Sequence, residues 1–296
     1  MTMTYDLLWS NPLSSISYSL LLVSILSLWI KQDIKIWGTI TTASLVCGVI
    51  SNRIDIIGLI SIVILCLLYH TVNRINLILL IRVTSGVLAI ILSVMLASHL
   101  IPGFNNWKVV DSVSLTETSL PYSMYLNMDK TLVGLAILGL GFPLIKSLKE
   151  WGSVLRSTLP IFLVGLIALA SVSQTFGYTH WNLKFPELFF VWALINLIFT
   201  CVSEEAFFRG FLQRNLFKML QKYKYGNILS IITVSILFGL AHFAGGFKYV
   251  ILSTIAGIAY GYAYQKTERI EASILCHFGV NTFHFIFLTY PALANT

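Results

Sequence analysis

The chain has 296 residues, of which 57% are apolar and 10% carry a charge, whereas about 25% of the residues in an average soluble domain are charged. So few charged side chains cannot cover a soluble globule of this length. The composition therefore excludes soluble, disordered and collagen-like chains and favours a polytopic helical membrane protein. The net charge of +7 does not indicate nucleic-acid binding, because Lys and Arg collect in the cytoplasmic loops of membrane proteins.

Apolar runs long enough to cross about 30 Å of hydrocarbon predict ten membrane spans. In chain order they are Ser14–Ile30, Ile36–Ile50, Ile56–Tyr69, Val83–Ile101, Thr131–Ile145, Ser157–Val172, Leu188–Val202, Ile228–Phe243, Tyr249–Tyr264 and Ala272–Tyr290. The second and third spans are short and could form one hairpin or a re-entrant pair. We therefore expect an all-α fold with about 8–10 transmembrane helices.

Two longer polar stretches, Pro102–Lys130 and Ser173–Glu187, join the fourth span to the fifth and the sixth span to the seventh. Alternating the spans places both stretches on one side of the membrane, and most Lys and Arg residues fall on the other side. The side rich in Lys and Arg is predicted to be cytoplasmic. Lys130 is then predicted to lie on the side away from the cytoplasm.

The character of the polar residues changes near Phe185. Before it they are mostly Ser and Thr, whose hydroxyls are expected to bond to the preceding turn of their own helix. After it, Glu, Arg, His and Asn lie in or beside apolar runs, where ionisable groups are costly and indicate function. We therefore predict membrane helices and a polar loop of unassigned role in residues 1–130, and a functional core in residues 131–296.

The first chemical pattern follows the seventh span, where Glu204 and Glu205 are followed by Arg209. On an α-helix the two carboxylates project about 100° apart. Glu205 and Arg209 have the i,i+4 spacing that favours an ion pair, which is expected to support the site from within the apolar region. Glu204 then faces elsewhere, and a carboxylate removed from water is a candidate general base.

Two further patterns follow, Phe238-x-x-x-His242 in the eighth span and His277-x-x-x-Asn281 in the tenth. His277 and Asn281 are one helical turn apart, so their N–H groups are expected to point into one place and to hold a developing oxyanion. His242 would orient a water molecule together with Glu204. These are the parts needed to hydrolyse a carbonyl compound inside a membrane.

Each of these features has an alternative explanation. An ion pair such as Glu205–Arg209 is more often structural than catalytic, and a His in an apolar span often makes a helix–helix hydrogen bond. Zinc binding is another open alternative, since Glu204, His242 and His277 are acceptable ligands. The chain has no HExxH motif and offers no convincing fourth ligand, so we expect no metal or other cofactor.

The patterns EExxxR, FxxxH and HxxxN, in this order, resemble the motifs of the CAAX-processing and bacteriocin-processing family of intramembrane proteases, also called CPBP or Abi proteins. The resemblance covers about Glu187–Tyr290 and implies a protease core of this type in the C-terminal half. The catalytic residues that it implies are Glu204, His242, His277 and Asn281, with Glu205 and Arg209 in support.

In that family the first Glu of EExxxR and the His of FxxxH activate water, and the His and Asn of HxxxN form the oxyanion hole. The family was long classed as metalloproteases, and a metal-independent glutamate mechanism is the better interpretation. The resemblance implies an endopeptidase that cleaves a peptide or protein substrate near the membrane surface. Whether that substrate is prenylated, as for eukaryotic members, is not carried over. We expect an integral multi-pass protein of a bacterial inner membrane, surrounded by lipid and without a nucleic-acid partner.

Two other classes of function stay open at this point. The first is a non-catalytic immunity or scaffold protein of the same fold, against which the intact set of motif residues argues. The second is a proton-coupled transporter, and transporters usually show internal repeats, which this sequence lacks.

The predicted spans also contain a conflict about depth. They put Glu204 and His277 near the cytoplasmic side but His242 near the far end of its span, whereas residues of one site must share a depth. Either the seventh helix continues through Arg209 and Phe217, or the eighth span is offset.

Overall fold

The computed structural model describes residues 11–294, and within that range the chain forms ten helices longer than one turn and a two-stranded sheet. The helices are α1 Pro12–Ile30, α2 Ile34–Ile50, α3 Ile56–Asn73, α4 Leu79–Ala97, α5 Met128–Gly139, α6 Leu148–Thr175, α7 Phe189–Leu220, α8 Gly226–Ala241, α9 Phe247–Thr267 and α10 Ile270–Phe287. The strands are β1 Trp107–Val113 and β2 Tyr122–Leu126.

The helices confirm the predicted class of protein. Each predicted span overlaps one of the helices α1 to α10. Of the helices between residues 11 and 294, six are long and apolar enough to cross a membrane, namely α1, α3, α4, α6, α7 and α10, whereas α2 and α8 are apolar but shorter. The chain is therefore an integral, multi-pass helical membrane protein.

The clearest disagreement in helix bounds concerns α5, which is predicted as Thr131–Ile145. The helix ends at Gly139 because Gly141 has a φ of +123°, which other residues rarely adopt, and because Pro143 cannot continue a helix. Almost every side chain of α5 is buried, and its 12 residues reach only about 18 Å. It is thus a core helix and not a span.

The polar stretch Pro102–Lys130 contains β1 and β2, which add a small sheet to the expected all-α fold. Hydropathy did not reveal them, because runs of 7 and 5 residues are too short to cross a membrane and resemble a loop on this scale. In addition, buried and exposed residues do not alternate strictly along β1, since the adjacent Val109 and Val110 are both buried.

The chain folds as two compact units. The first comprises the described part of Met1–Val110 with Met124–Leu144 and Ile198–Phe207, and the second comprises Asp111–Ser123, Ile145–Leu197 and the described part of Phe208–Thr296. The predicted division at residue 130 between helices of unassigned role and a protease core stays a prediction.

In the first unit α5 is the central helix and contacts α1, α3, α4 and the segment Ser203–Glu205. The closest approach is at Gly134, where an added Cβ atom would lie 2.6 Å from the Cα atom of Ser203. Only glycine permits backbones to approach so closely. This contact brings α5 directly beside the turn that carries Glu204.

Serine side chains connect α1 to α2 in the same unit. Ser17 Oγ donates to the carbonyl oxygen of Ser44 at 2.8 Å, and Ser44 Oγ donates back to the carbonyl of Ser17 at 2.7 Å. The prediction that Ser hydroxyls bond to their own helix is wrong for this pair, because small residues let two helices come within hydrogen-bonding reach. It is correct for Thr42, whose hydroxyl donates to the carbonyl of Gly38 at 2.9 Å.

In the second unit α9 is the central helix and contacts α6, α8 and α10. The start of α10 is fixed by two acidic side chains. Glu271 Oε1 accepts a hydrogen bond from the backbone N–H of Ile145 at 2.8 Å, and Arg269 pairs with Glu150 at 3.0 Å. These contacts hold α10, which carries two of the predicted catalytic residues, beside the start of α6.

Helix α7 is not a uniform α-helix. The segments Asn196–Val202 and Ala206–Gln213 have π-helical hydrogen bonding and flank one α-helical turn at Ser203–Glu205. Such π-helical segments are rare and occur frequently at functional sites. The helix continues past the predicted end to Leu220, which confirms the first alternative, that the seventh helix extends through Phe217.

Candidate active site

A cavity of about 80 Å³ lies within the second unit, with walls from α6, α8, α9, α10 and the loop after α6. Three of the four predicted catalytic residues line it, His242, His277 and Asn281. The remaining wall is mostly apolar and aromatic and includes Phe238 and Tyr260. The structure thus brings the FxxxH and HxxxN motifs to one small pocket, in which a few polar groups converge.

His242 follows the last residue of α8, and its ring is held by its own motif. Ring atom Nδ1 lies 2.7 Å from the carbonyl oxygen of Phe238. A carbonyl oxygen can only accept, so Nδ1 carries the proton and donates it, and in the neutral ring Nε2 then carries the lone pair. An imidazole in this tautomer can accept a hydrogen bond from water through Nε2.

His277 is buried on α10, with 4% of the residue exposed. Its ring stacks on Tyr260 with 4.7 Å between centroids and 17° between planes, and it meets the ring of Phe238 edge-on at 5.7 Å. Two aromatic neighbours therefore fix the plane of the imidazole. A donor that is held in place before the substrate arrives is what an oxyanion hole requires.

Asn281 lies one turn after His277 on α10 and is held by a hydrogen bond to α7. Its Nδ2 donates to Oδ1 of Asn196 at 3.2 Å. This bond orients the amide, which can donate through its nitrogen.

Arg209 is fully buried and attaches its part of α7 to α9. Its Nη2 donates to the carbonyl oxygen of Gly257 at 2.9 Å. The guanidinium carbon lies 4.7 Å from the ring centroid of Phe238 and 5.4 Å from that of Tyr260. Phe238 and Tyr260 also line the cavity, so the two rings that contact Arg209 are part of the cavity wall.

A second residue repeats this arrangement one turn later. Gln213 Nε2 donates to the carbonyl oxygen of Gly261 at 2.9 Å, four residues after Gly257. An added Cβ at Gly257 would lie 3.3 Å from Arg209 Nη2, and one at Gly261 would lie 2.7 Å from Gln213 Oε1. The two glycines thus leave room for the side chains that bind their carbonyls.

Glu204, the fourth predicted catalytic residue, belongs to the first unit. Its Oε1 accepts a hydrogen bond from Nζ of Lys130 at 2.5 Å, and the two side chains are 10% and 19% exposed. The candidate general base therefore forms a largely buried ion pair with a residue of α5 that belongs to none of the three motifs.

This ion pair contradicts the predicted depths in the membrane. The spans predict Lys130 on the side away from the cytoplasm and Glu204 near the cytoplasmic side, and this is wrong. One reason is that α5 is a short buried helix rather than a span. The other is that α7 continues from Glu204 to Leu220, so Glu204 lies near the middle of a long helix instead of at its end.

Glu205 is completely buried, with 0% of the residue exposed. The ion pair that Glu205 is expected to form with Arg209 stays a prediction. The i,i+4 rule on which it depends applies to an α-helix, whereas the chain is π-helical from Ala206 to Gln213.

The three motifs do not reveal Lys130, Asn196 or Gln213, which hold a predicted site residue or the helix that carries one. Lys130 lies 74 residues before Glu204, and Asn196 lies 85 residues before Asn281, so no local motif connects either pair. The contact of Gln213 with α9 did have a signal, since two Gly residues spaced by three others are typical of closely packed membrane helices.

Within residues 11–294, no group of three or more His, Cys, Asp or Glu side chains is arranged to hold a metal ion. The expectation that the chain needs no metal or other cofactor stays a prediction, to be tested on the purified protein.

Residues 186–283 match a family model described as type II CAAX prenyl endopeptidase Rce1-like. The match confirms the resemblance drawn from the three motifs and supports a CAAX-type membrane peptidase. It includes every residue of those motifs, together with Asn196 and Gln213, but not Lys130. Neither the curated proteins nor the solved structures include a match to the chain.

Proposed function

We propose that the chain, as a CAAX-protease-like membrane protein, is an endopeptidase that hydrolyses a peptide bond near the membrane surface. The observation that carries this proposal is the convergence of His242, His277 and Asn281 on one small cavity, in a segment that matches CAAX-type endopeptidases. Polar and ionisable groups are costly inside a membrane protein and mark functional positions.

Glu204 is the general base in the proposed reaction. It takes a proton from a water molecule, whose oxygen attacks the carbonyl carbon of the scissile bond. His242 accepts a hydrogen bond from this water through Nε2, a role that its bond from Nδ1 to the carbonyl of Phe238 supports. The proton then passes to the leaving nitrogen and the C–N bond breaks, so that one water yields one carboxyl group and one amine.

His277 and Asn281 act on the other side of the carbonyl group. The attack places negative charge on the former carbonyl oxygen, and the N–H groups of these two residues donate to it. The stacking of His277 on Tyr260 and the bond from Asn281 to Asn196 support this role, because both restrict the donors before the reaction.

We further propose that the mechanism uses glutamate rather than a metal ion. Support comes from the pairing of Glu204 with a lysine, since a lysine beside a carboxylate competes with a metal cation for it. We place the protein in a bacterial inner membrane, where its substrate is a membrane-bound peptide or protein.

The test compares the termini of membrane proteins in cells that carry the wild type, Glu204→Gln or Glu268→Gln. The first variant removes the basic carboxylate, and the second is a matched control at the exposed end of α9. We expect one or more termini that are present with the wild type and with Glu268→Gln but absent with Glu204→Gln. Identical termini in all three strains would contradict the proposal and favour a scaffold or transporter.

A further inference from the structure

We infer that Lys130, outside the segment that matches CAAX-type endopeptidases, is a positioning residue for the general base Glu204. The inference rests on the proposed function and deepens it. It assigns a part in catalysis to α5, in a region of the chain to which neither the three motifs nor the family match gives a role.

The ion pair between the two residues is the first observation. Lys130 Nζ lies 2.5 Å from Glu204 Oε1, and neither side chain is more than 19% exposed. A charge removed from water needs a partner of opposite sign, since an uncompensated one is strongly destabilising. A cation held at Oε1 therefore fixes the orientation of the carboxylate.

The neighbouring carboxylate of Asp129 does not hold the lysine side chain. Asp129 Oδ2 lies 2.7 Å from Nδ1 of His99 and accepts a bond from Nδ2 of Asn106 at 3.0 Å, while Oδ1 accepts one from the backbone N–H of Lys130 at 2.8 Å. Asp129 is 1% exposed. This network fixes the first turn of α5, so the backbone from which the Lys130 side chain extends is itself held.

The packing of α5 gives the third observation. Gly134 lies one turn after Lys130, on the same face of the helix, and an added Cβ there would lie 2.6 Å from the Cα of Ser203. The backbone of residue 203 is thus in direct contact with this face of α5. The position of Lys130 relative to Glu204 is therefore set by backbone packing as well as by the side chains.

A purely structural ion pair would stabilise the fold without affecting the chemical step, so the test must separate these roles. The variants are Lys130→Met, which removes the charge, and Lys130→Arg, which keeps it. Lys130→Gln keeps an N–H donor without charge and serves if Lys130→Met does not fold. Lys108→Met is the matched control, since it removes a half-buried lysine from β1.

The assay uses the full-length protein in lipid vesicles and a quenched fluorescent peptide that spans the cleavage site found by the comparison of termini. We expect kcat of Lys130→Met and of Lys130→Gln to fall about 10²-fold per folded molecule, as a misplaced catalytic group does. KM is expected to stay within about twofold of the wild-type value, because the group acts on the transition state. Lys130→Arg is expected to keep more than about a tenth of the wild-type kcat, and Lys108→Met to match the wild type.

The double variant Lys130→Met/Glu204→Gln decides whether the lysine acts through the glutamate. We expect it to be no slower than Glu204→Gln alone, since two residues that act as one unit are not additive. Additive losses, or a wild-type kcat in both Lys130→Met and Lys130→Gln, would overturn the inference and leave the proposed function intact. A wild-type protein that cleaves no membrane peptide would overturn both.

Discussion

Asn281 donates a hydrogen bond through Nδ2 to Oδ1 of Asn196 at 3.2 Å, and this bond joins α10 to the first π-helical segment of α7. Asn196 is the first residue of that segment. The orientation of a proposed oxyanion donor therefore depends on a residue outside the three motifs.

The first prediction concerns this pair. Asn281→Ala removes a donor to the oxyanion, so we expect kcat to fall about 10²–10³-fold with little change in KM. Asn196→Ala only releases the amide of Asn281, so we expect a smaller loss, about tenfold. Steady-state kinetics on the cleaved peptide would measure both.

The double variant and a control make this prediction specific. Asn196→Ala/Asn281→Ala should be no slower than Asn281→Ala, because the first residue acts through the second. Asn215→Ala is the control. It removes another amide of α7, which donates to the carbonyl of Phe211, and it should keep the wild-type rate. A full rate in Asn281→Ala would show that this residue is not an oxyanion donor.

The second prediction concerns the buried Arg209. Arg209→Leu leaves the carbonyl of Gly257 without its donor, at a cost of about 1–3 kcal/mol. Arg209→Lys should be nearly as unstable, because an ammonium group lacks the planar fork that lies over the rings of Phe238 and Tyr260. The unfolding temperature in detergent measures the stability of both variants. The control is Arg214→Leu, since Arg214 is a half-buried arginine on the same helix, α7. An Arg209→Lys protein as stable as the wild type would contradict this account.

The third prediction compares two glycines in helices. An added Cβ at Gly257 would lie 3.1 Å from the Cα of Ser235, whereas an added Cβ at Gly152 meets nothing within 4 Å. We expect Gly257→Ala to lower the free energy of unfolding by about 1–3 kcal/mol through overpacking. Gly152→Ala should be neutral or raise it by up to about 1 kcal/mol. Equal unfolding temperatures for the two variants would show that α9 does not need this close approach.

Much of this architecture could be predicted from the sequence, because a span is a local property. An apolar run must satisfy its own backbone within one helix, so each predicted span overlaps a helix. The predicted ends of the spans are wrong where something other than local hydropathy ends or extends the helix. Gly141 and Pro143 end α5 early, and α7 continues beyond Val202 through the charged turn Ser203–Glu205, which contacts α5.

The candidate site also contains residues that the sequence predicts and residues that it does not. The motifs identify His242, His277 and Asn281 because i,i+4 spacing on one helix is visible in the sequence, and the structure brings all three to one cavity. Lys130 and Asn196 could not be identified, because each contacts its partner only through the tertiary fold. Residues that hold a catalytic group are thus harder to predict than the group itself.

The fourth prediction concerns metal. A glutamate mechanism needs no ion, so we expect the purified enzyme to keep its kcat after dialysis against a strong chelator. Elemental analysis of the same dialysed sample should find much less than one zinc per chain. Because a zinc site binds one ion per chain, full activity in this sample would show that catalysis does not need zinc. Activity that is lost in chelator and restored by zinc would favour a metalloprotease instead.

The most direct test of the central claim is the cleavage rate of purified Glu204→Gln in a single turnover. Glutamine keeps the size and polarity of the side chain but cannot accept the proton of water. We expect the rate per folded molecule to fall about 10²–10⁴-fold, the usual contribution of a general base, while the exposed control Glu268→Gln keeps the wild-type rate. Cleavage by Glu204→Gln at the wild-type rate would contradict the assignment of Glu204 as the base on which the proposed mechanism depends.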